Sequence, residues 1–154
     1  MAFDQLKNKV SEVLDNSALS VDHRMNLVCE LLRKNVDYYD WVGFYFRNGD
    51  KEELKLRAFS GAPTEHTIIP FGKGICGQVA ISNENFVVPD VEAQDNYISC
   101  NINVKSEIVI PLFVDGKNIG QIDIDSDTPD PFTEADEQFL EWVNQEVAEI
   151  LEQA

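Results

Sequence analysis

Asp123 and Asp125 alternate with Ile122 and Ile124 in GQIDIDS, residues 120–126. A strand there sends both carboxylates to one side and both isoleucines to the other. Upstream, residues 107–114 place Ile108, Ile110 and Leu112 on one face, with Glu107 and Val109 opposite. If the two runs form a hairpin with matched apolar faces, Glu107 joins Asp123 and Asp125. Asp115-Gly116 supplies the turn signal. The match needs an odd-length turn, such as Asp115-Gly116-Lys117, or a bulge, because a plain two-residue turn sends Glu107 to the other side. An isolated Asp, with pKa about 3.9, holds a proton about one time in a thousand at pH 7. Crowding three carboxylates raises at least one macroscopic pKa, so the patch can carry an acid proton. The same pattern also describes a solvated polar face, and the hairpin alone leaves both readings open. No EF-hand-like ligand loop accompanies these residues, which disfavours a hard-metal site, and no metal ligand is assigned.

Sulfur supplies the second kind of chemistry. Cys76 lies in PFGKGICG, residues 70–77. Lys73 and the N-terminus of a short helix there are expected to lower its thiol pKa. The stretch lacks the phosphate-loop spacing, and a tight turn is the simpler reading. Cys29 falls on the apolar face of a helical pattern and reads as an inert core residue. Cys100 sits in a polar loop, where a thiol has little structural use and suits a nucleophile. His66, in a Thr/Glu-rich loop, reads as a surface residue. Trp41 and Tyr45 are an even number apart and share one side of a strand, either as ordinary core or as an apolar box beside the carboxylates.

The elements that must position these groups follow from periodicity. Phe3, Leu6, Val10, Val13 and Leu14 mark a first helix, and Met25, Val28, Cys29, Leu32 and Val36 a second. Residues 41–47 (WVGFYFR) read as a strand. A second strand over 54–60 alternates Leu54, Leu56 and Ala58 with Lys55 and Arg57. Short strands are expected at 67–70 and 86–89, a short helix at 74–81, and the hairpin strands at 107–114 and 118–126. Thr133 is a good N-cap for a last helix to Glu152, whose apolar face carries Phe139, Leu140, Val143, Val147, Ile150 and Leu151. Helices bracketing hairpin-connected strands describe an α+β domain with a mainly antiparallel sheet.

The 154 residues suit one domain, spanning 1–154. With 12 Lys+Arg against 28 Asp+Glu, the formal charge of −16 repels phosphate backbones and anionic lipid. No nucleic-acid or membrane partner is expected. The 44% hydrophobic content argues against a disordered acidic tail. The opening MAFDQLKNKV has no apolar signal core. Three cysteines at unequal spacing do not make a secreted disulfide scaffold, so a cytoplasmic protein is expected.

Together the segments WVGFYF, IPFGKGICGQVA, VVPDV, SEIVIPL and GQIDIDS resemble, in order, the free methionine-(R)-sulfoxide reductases, which are single GAF domains. The resemblance implies a six-stranded antiparallel sheet with helices packed on one face and a ligand pocket on the other. It implies reduction of the R epimer of free methionine sulfoxide. A cysteine thiolate attacks the sulfoxide sulfur while an acid protonates its oxygen. Methionine leaves, and the sulfenic acid condenses with a second cysteine to a disulfide, which thioredoxin reduces. No bound cofactor is implied, just an external thiol reductant. Cys100 would be the attacking residue, standing seven positions before Glu107. Glu107, Asp123 and Asp125 match the acidic substrate-binding residues, and Trp41 would help hold the sulfoxide methyl group. The family's usual resolving cysteine, ten positions before Cys76, is here His66. That disulfide with Cys100 is therefore impossible, leaving Cys76 or an external thiol to resolve the sulfenic acid.

The zwitterionic substrate fits this patch, since carboxylates can neutralise its ammonium and backbone N–H groups its carboxylate. A competing expectation is a non-catalytic GAF module that binds methionine or a related small ligand for regulation. Cyclic nucleotide is disfavoured by an acidic pocket. Monomer and homodimer are equally compatible with the helical ends.

Overall fold

The computed structural model describes residues 3–94 and 103–153. Its strands are β1 (Trp41–Arg47), β2 (Glu53–Ser60), β3 (Ile68–Pro70), β4 (Phe86–Val88), β5 (Ser106–Val114) and β6 (Lys117–Ser126). They form one six-stranded sheet in the order β3-β2-β1-β6-β5-β4, with every neighbouring pair antiparallel. Helices α1 (Asp4–Leu14), α2 (Val21–Asn35) and α4 (Glu134–Gln153) share the core on one face of the sheet, and α3 (Gly74–Ser82) covers the other. Among the described residues no helix is long and apolar enough to cross a membrane.

The helices form where the apolar spacing places them. Leu6, Val10 and Leu14 make one buried stripe on α1. Helix α2 starts at Ser20, whose hydroxyl accepts the His23 amide at 3.1 Å, and ends with Arg33 and Lys34 in its last turn. Thr133 stands directly before α4 and donates its amide and its hydroxyl to the buried Asp136 carboxylate, at 2.8 and 3.0 Å. The hydroxyls of Tyr38 and Tyr39 donate to the same carboxylate at 2.8 and 2.6 Å, tying the start of α4 to the segment entering β1. Burial, reinforced by Asp136, holds both phenols above their ordinary pKa.

The sheet divides the core in two. Val42, Phe44 and Phe46 of β1 join Ile108, Ile110, Ile122 and Ile124 under the helices. Trp41 and Tyr45 face the other way, toward Cys76, Val79 and Val109. Because β1 is buried on both faces, it reads as a continuous apolar run rather than an alternation.

Two bulges set which residues reach the second face. In the β5–β6 hairpin, Asp115 and Gly116 (φ 53° and 76°) make a two-residue turn between Val114 and its partner Lys117. Phe113 then pairs with Asn118 but Leu112 with Gly120, so Ile119 is an extra residue. Of the two devices that would bring Glu107 to the side of Asp123 and Asp125, the molecule uses the bulge. The second bulge corrects the reading of β2. Phe44 pairs with Ala58 but Tyr45 with Leu56, so Arg57 is inserted and the strand changes face. Leu54 and Leu56 consequently pack on the pocket side, and Ala58 under the helices.

Candidate active site

The pocket is built over the middle of the sheet. In β5 and β6, Glu107 pairs with Asp125 and Val109 with Asp123, which sets three acidic side chains on one face. All three are buried: Glu107 and Asp123 are 5% exposed and Asp125 4%. Helix α3 lies across this face and brings in Cys76 from its first turn. Its Sγ lies 4.0 Å from Glu107 Oε2. Tyr45, Cys76, Glu107, Asp123 and Asp125 line one small cavity.

Trp41 stands at the edge of this site. It lines an adjoining cavity that shares Asp125 with the first and adds Asp40 and Asp127. The indole N–H donates to the Ala62 carbonyl at 3.0 Å, and the ring lies 6.3 Å from that of Tyr45 and 5.9 Å from that of Phe59. It leans along its own strand over Gly43, where a Cβ would come within 2.3 Å of the indole. A glycine is therefore required for the aromatic wall to lie flat against the sheet. Tyr45 is held in turn by donating its hydroxyl to the His66 carbonyl at 2.8 Å.

The electrostatics follow from burial. Desolvation raises the Asp123 carboxyl above its ordinary pKa, and hydrogen bonding with Glu107 and Cys76 opposes the rise in part. Asp123 Oδ1 has no hydrogen-bond partner among the described residues. The Cys76 thiol is pushed well above its usual value, first by burial and then by the negative charges of Asp123 and Glu107. This overturns the expectation that Lys73 and the helix N-terminus would lower it. A helix end contributes roughly half a charge, which cannot outweigh full burial beside carboxylates. Cys29 is wholly buried, with its thiol also raised by desolvation, as an inert core residue should be.

Such a site can bind a cation or ammonium, keep a carboxyl proton to higher pH than an ordinary aspartate does, and present a protonated thiol to a reacting partner. Cys100 lies outside the described residues. The structure therefore brings together six of the seven residues singled out by sequence. His66 also lines the cavity, half-buried rather than the surface residue expected, and Lys73 lines it as well. Gln121 was missed. It occupies the next position of the Asp123–Asp125 alternation, is fully buried, and its amide has no partner among the described residues. Extending the alternation one step would have found it.

The GAF-domain family model matches residues 18–152. The free methionine-R-sulfoxide reductase of Saccharomyces cerevisiae is 37% identical, over 84% of this chain and 81% of that protein. The Escherichia coli free methionine-R-sulfoxide reductase is 36% identical, over 79% and 72%. The X-ray structure of the Neisseria meningitidis free methionine-R-sulfoxide reductase in complex with its substrate superposes with a TM-score of 0.85. It is 34% identical and covers 93% of this chain and 83% of that one. This chain belongs to the GAF-domain family and, within it, to the free methionine-R-sulfoxide reductases.

Proposed function

We propose that the protein reduces free L-methionine-(R)-sulfoxide to methionine, with Cys100 as the attacking thiolate. The observation that carries this reading is the convergence of Glu107, Asp123 and Asp125 with Cys76 in one buried pocket walled by Tyr45. The carboxylates neutralise the substrate ammonium, and the proton that burial holds on this cluster goes to the sulfoxide oxygen. Trp41 and Tyr45 enclose the apolar end of the ligand. Oxygen passes from the substrate sulfur to the Cys100 sulfur, leaving a sulfenic acid and methionine. Cys76 then condenses with that sulfenic acid, forming the S–S bond and releasing water. Its raised pKa suits this order, since a protonated Cys76 does not compete for the sulfoxide. A neighbouring carboxylate takes the thiol proton at the moment of attack. Thioredoxin or another external thiol completes the cycle, and no bound cofactor is needed.

The test is a thioredoxin-coupled NADPH assay on separate R and S epimers, with dithiothreitol as a parallel reductant. R-specific turnover that disappears in Cys100→Ser supports the mechanism. Cys76→Ser should lose the thioredoxin-dependent rate but keep the dithiothreitol rate. No turnover with either reductant, together with retained methionine binding, would replace the enzyme by a ligand-binding module.

A further inference from the structure

We propose that Cys76, Glu107 and Asp123 form a binding site for one thiophilic divalent cation, Zn2+. One ligand atom from each of these three buried residues lies within 4.8 Å of the other two. Asp123 lines the cavity and shares hydrogen bonds with Glu107 and Cys76, while its Oδ1 is a buried oxygen with no hydrogen-bond partner among the described residues, which is the condition that a ligand or ion relieves. Zinc–sulfur bonds of about 2.3 Å and zinc–oxygen bonds of about 2.0–2.2 Å place tetrahedral ligand atoms roughly 3.3–3.8 Å apart. Cys76 Sγ and Glu107 Oε2 are 4.0 Å apart and the three ligand atoms lie within 4.8 Å of one another, so an approach of about 1 Å or less, within the reach of side-chain rotation, closes the site.

The donor set selects the metal. A single thiolate with two carboxylates suits zinc, whereas magnesium and calcium prefer oxygen alone. Three protein ligands leave a fourth position facing the cavity, as in open zinc sites. On binding, the Cys76 S–H bond breaks, an S–Zn bond forms, and the proton leaves to solvent. Affinity therefore rises with pH. The formal charge of −16 concentrates divalent cations around the molecule. The lack of an EF-hand-like ligand loop in the sequence disfavours a hard-cation site. It does not exclude this one, whose thiol comes from α3, 31 residues before Glu107. Zinc held there occupies the carboxylates and sequesters the thiol, so it blocks both substrate and disulfide formation. That inhibition rests on the reductase reading, but the binding does not.

The test uses the full-length reduced protein titrated with Zn2+ against a chromophoric chelator, with millimolar Mg2+ present to occupy exposed carboxylates. One Zn2+ per chain is expected, with affinity at least tenfold weaker in Cys76→Ser and in Glu107→Gln, and kept in Cys100→Ser. Co2+ gives an independent readout: a thiolate-to-cobalt charge-transfer band in the unmutated protein that persists in Cys100→Ser and vanishes in Cys76→Ser. Absence of stoichiometric binding under excess Mg2+, or a cobalt band that survives Cys76→Ser, would overturn the proposal. Because neither readout requires turnover, a negative result here leaves the reductase reading standing, and an inactive enzyme leaves the zinc site standing.

Discussion

Gly43→Ala tests whether the pocket wall depends on the glycine beneath the Trp41 indole. Adding a Cβ puts a carbon 2.3 Å from Trp41 Cη2 and 2.6 Å from Cζ3, where carbon contacts normally lie at about 3.5–4.0 Å. The indole must move by roughly 1 Å or more. It is held on its far side by the hydrogen bond to Ala62 and by Phe59, which pairs with Gly43 across β2. Overpacking of this kind costs about 1–3 kcal/mol, and loss of the indole hydrogen bond about 0.5–1.5 kcal/mol. Reduced unfolded-chain entropy returns about 0.4–1 kcal/mol. A net loss of about 2–3 kcal/mol lowers Tm by roughly 4–12 °C in a domain of this size. The assay is a double-mutant cycle of Gly43→Ala with Trp41→Ala by urea unfolding, alongside kcat/KM for the sulfoxide. Without the indole, Gly43→Ala should become neutral or stabilising, because the backbone at residue 43 is ordinary strand. An equal cost in both backgrounds would refute the steric argument.

Asp123→Asn should stabilise the protein at pH 7 while weakening its function. Burial raises the Asp123 pKa, so its favourable contribution is complete below the ordinary value near 3.9 and is lost as pH rises through the folded value. The variant should gain about 0.5–2 kcal/mol at pH 7 and clearly less at pH 4 by urea unfolding. Loss of a charged hydrogen bond to substrate, about 1.5–3 kcal/mol, should lower kcat/KM roughly 10–100-fold; a variant that is destabilised at pH 7 contradicts the assigned shift. Thiol titration provides a third check. With Cys29 and Cys76 buried and their thiols raised, no more than one of the three cysteines should react promptly with a disulfide reagent at pH 8, and all three in denaturant. Prompt reaction of two native thiols would remove the basis for a protonated, enclosed Cys76.

Much of the architecture was legible because it is periodic. The stripes of α1, α2 and α4 and the Ile/Asp alternation of β6 each state their own face, since side-chain direction repeats every 3.6 or 2 residues. The alternation of β2 was misleading: one inserted residue at Arg57 reverses the face of everything beyond it, and no local composition marks the insertion. For the hairpin, the pattern required a turn or bulge of odd count without saying which. The ladder, pairing Phe113 with Asn118 and Leu112 with Gly120, decided it at Ile119.

By itself the sequence determined which residue types share a strand face, where helices begin and end, and that a thiol and carboxylates exist in one acidic chain. Those are local properties, set by periodicity and caps. Only the tertiary structure decided that Cys76 is a raised, protonated thiol rather than an activated one. Local rules counted Lys73 and a helix end, whereas packing α3 over β5 and β6 removed water and added Asp123 and Glu107. Desolvation and through-space charge depend on what is folded against a group, and residues 31 and 47 positions along the chain from Cys76 supply both here.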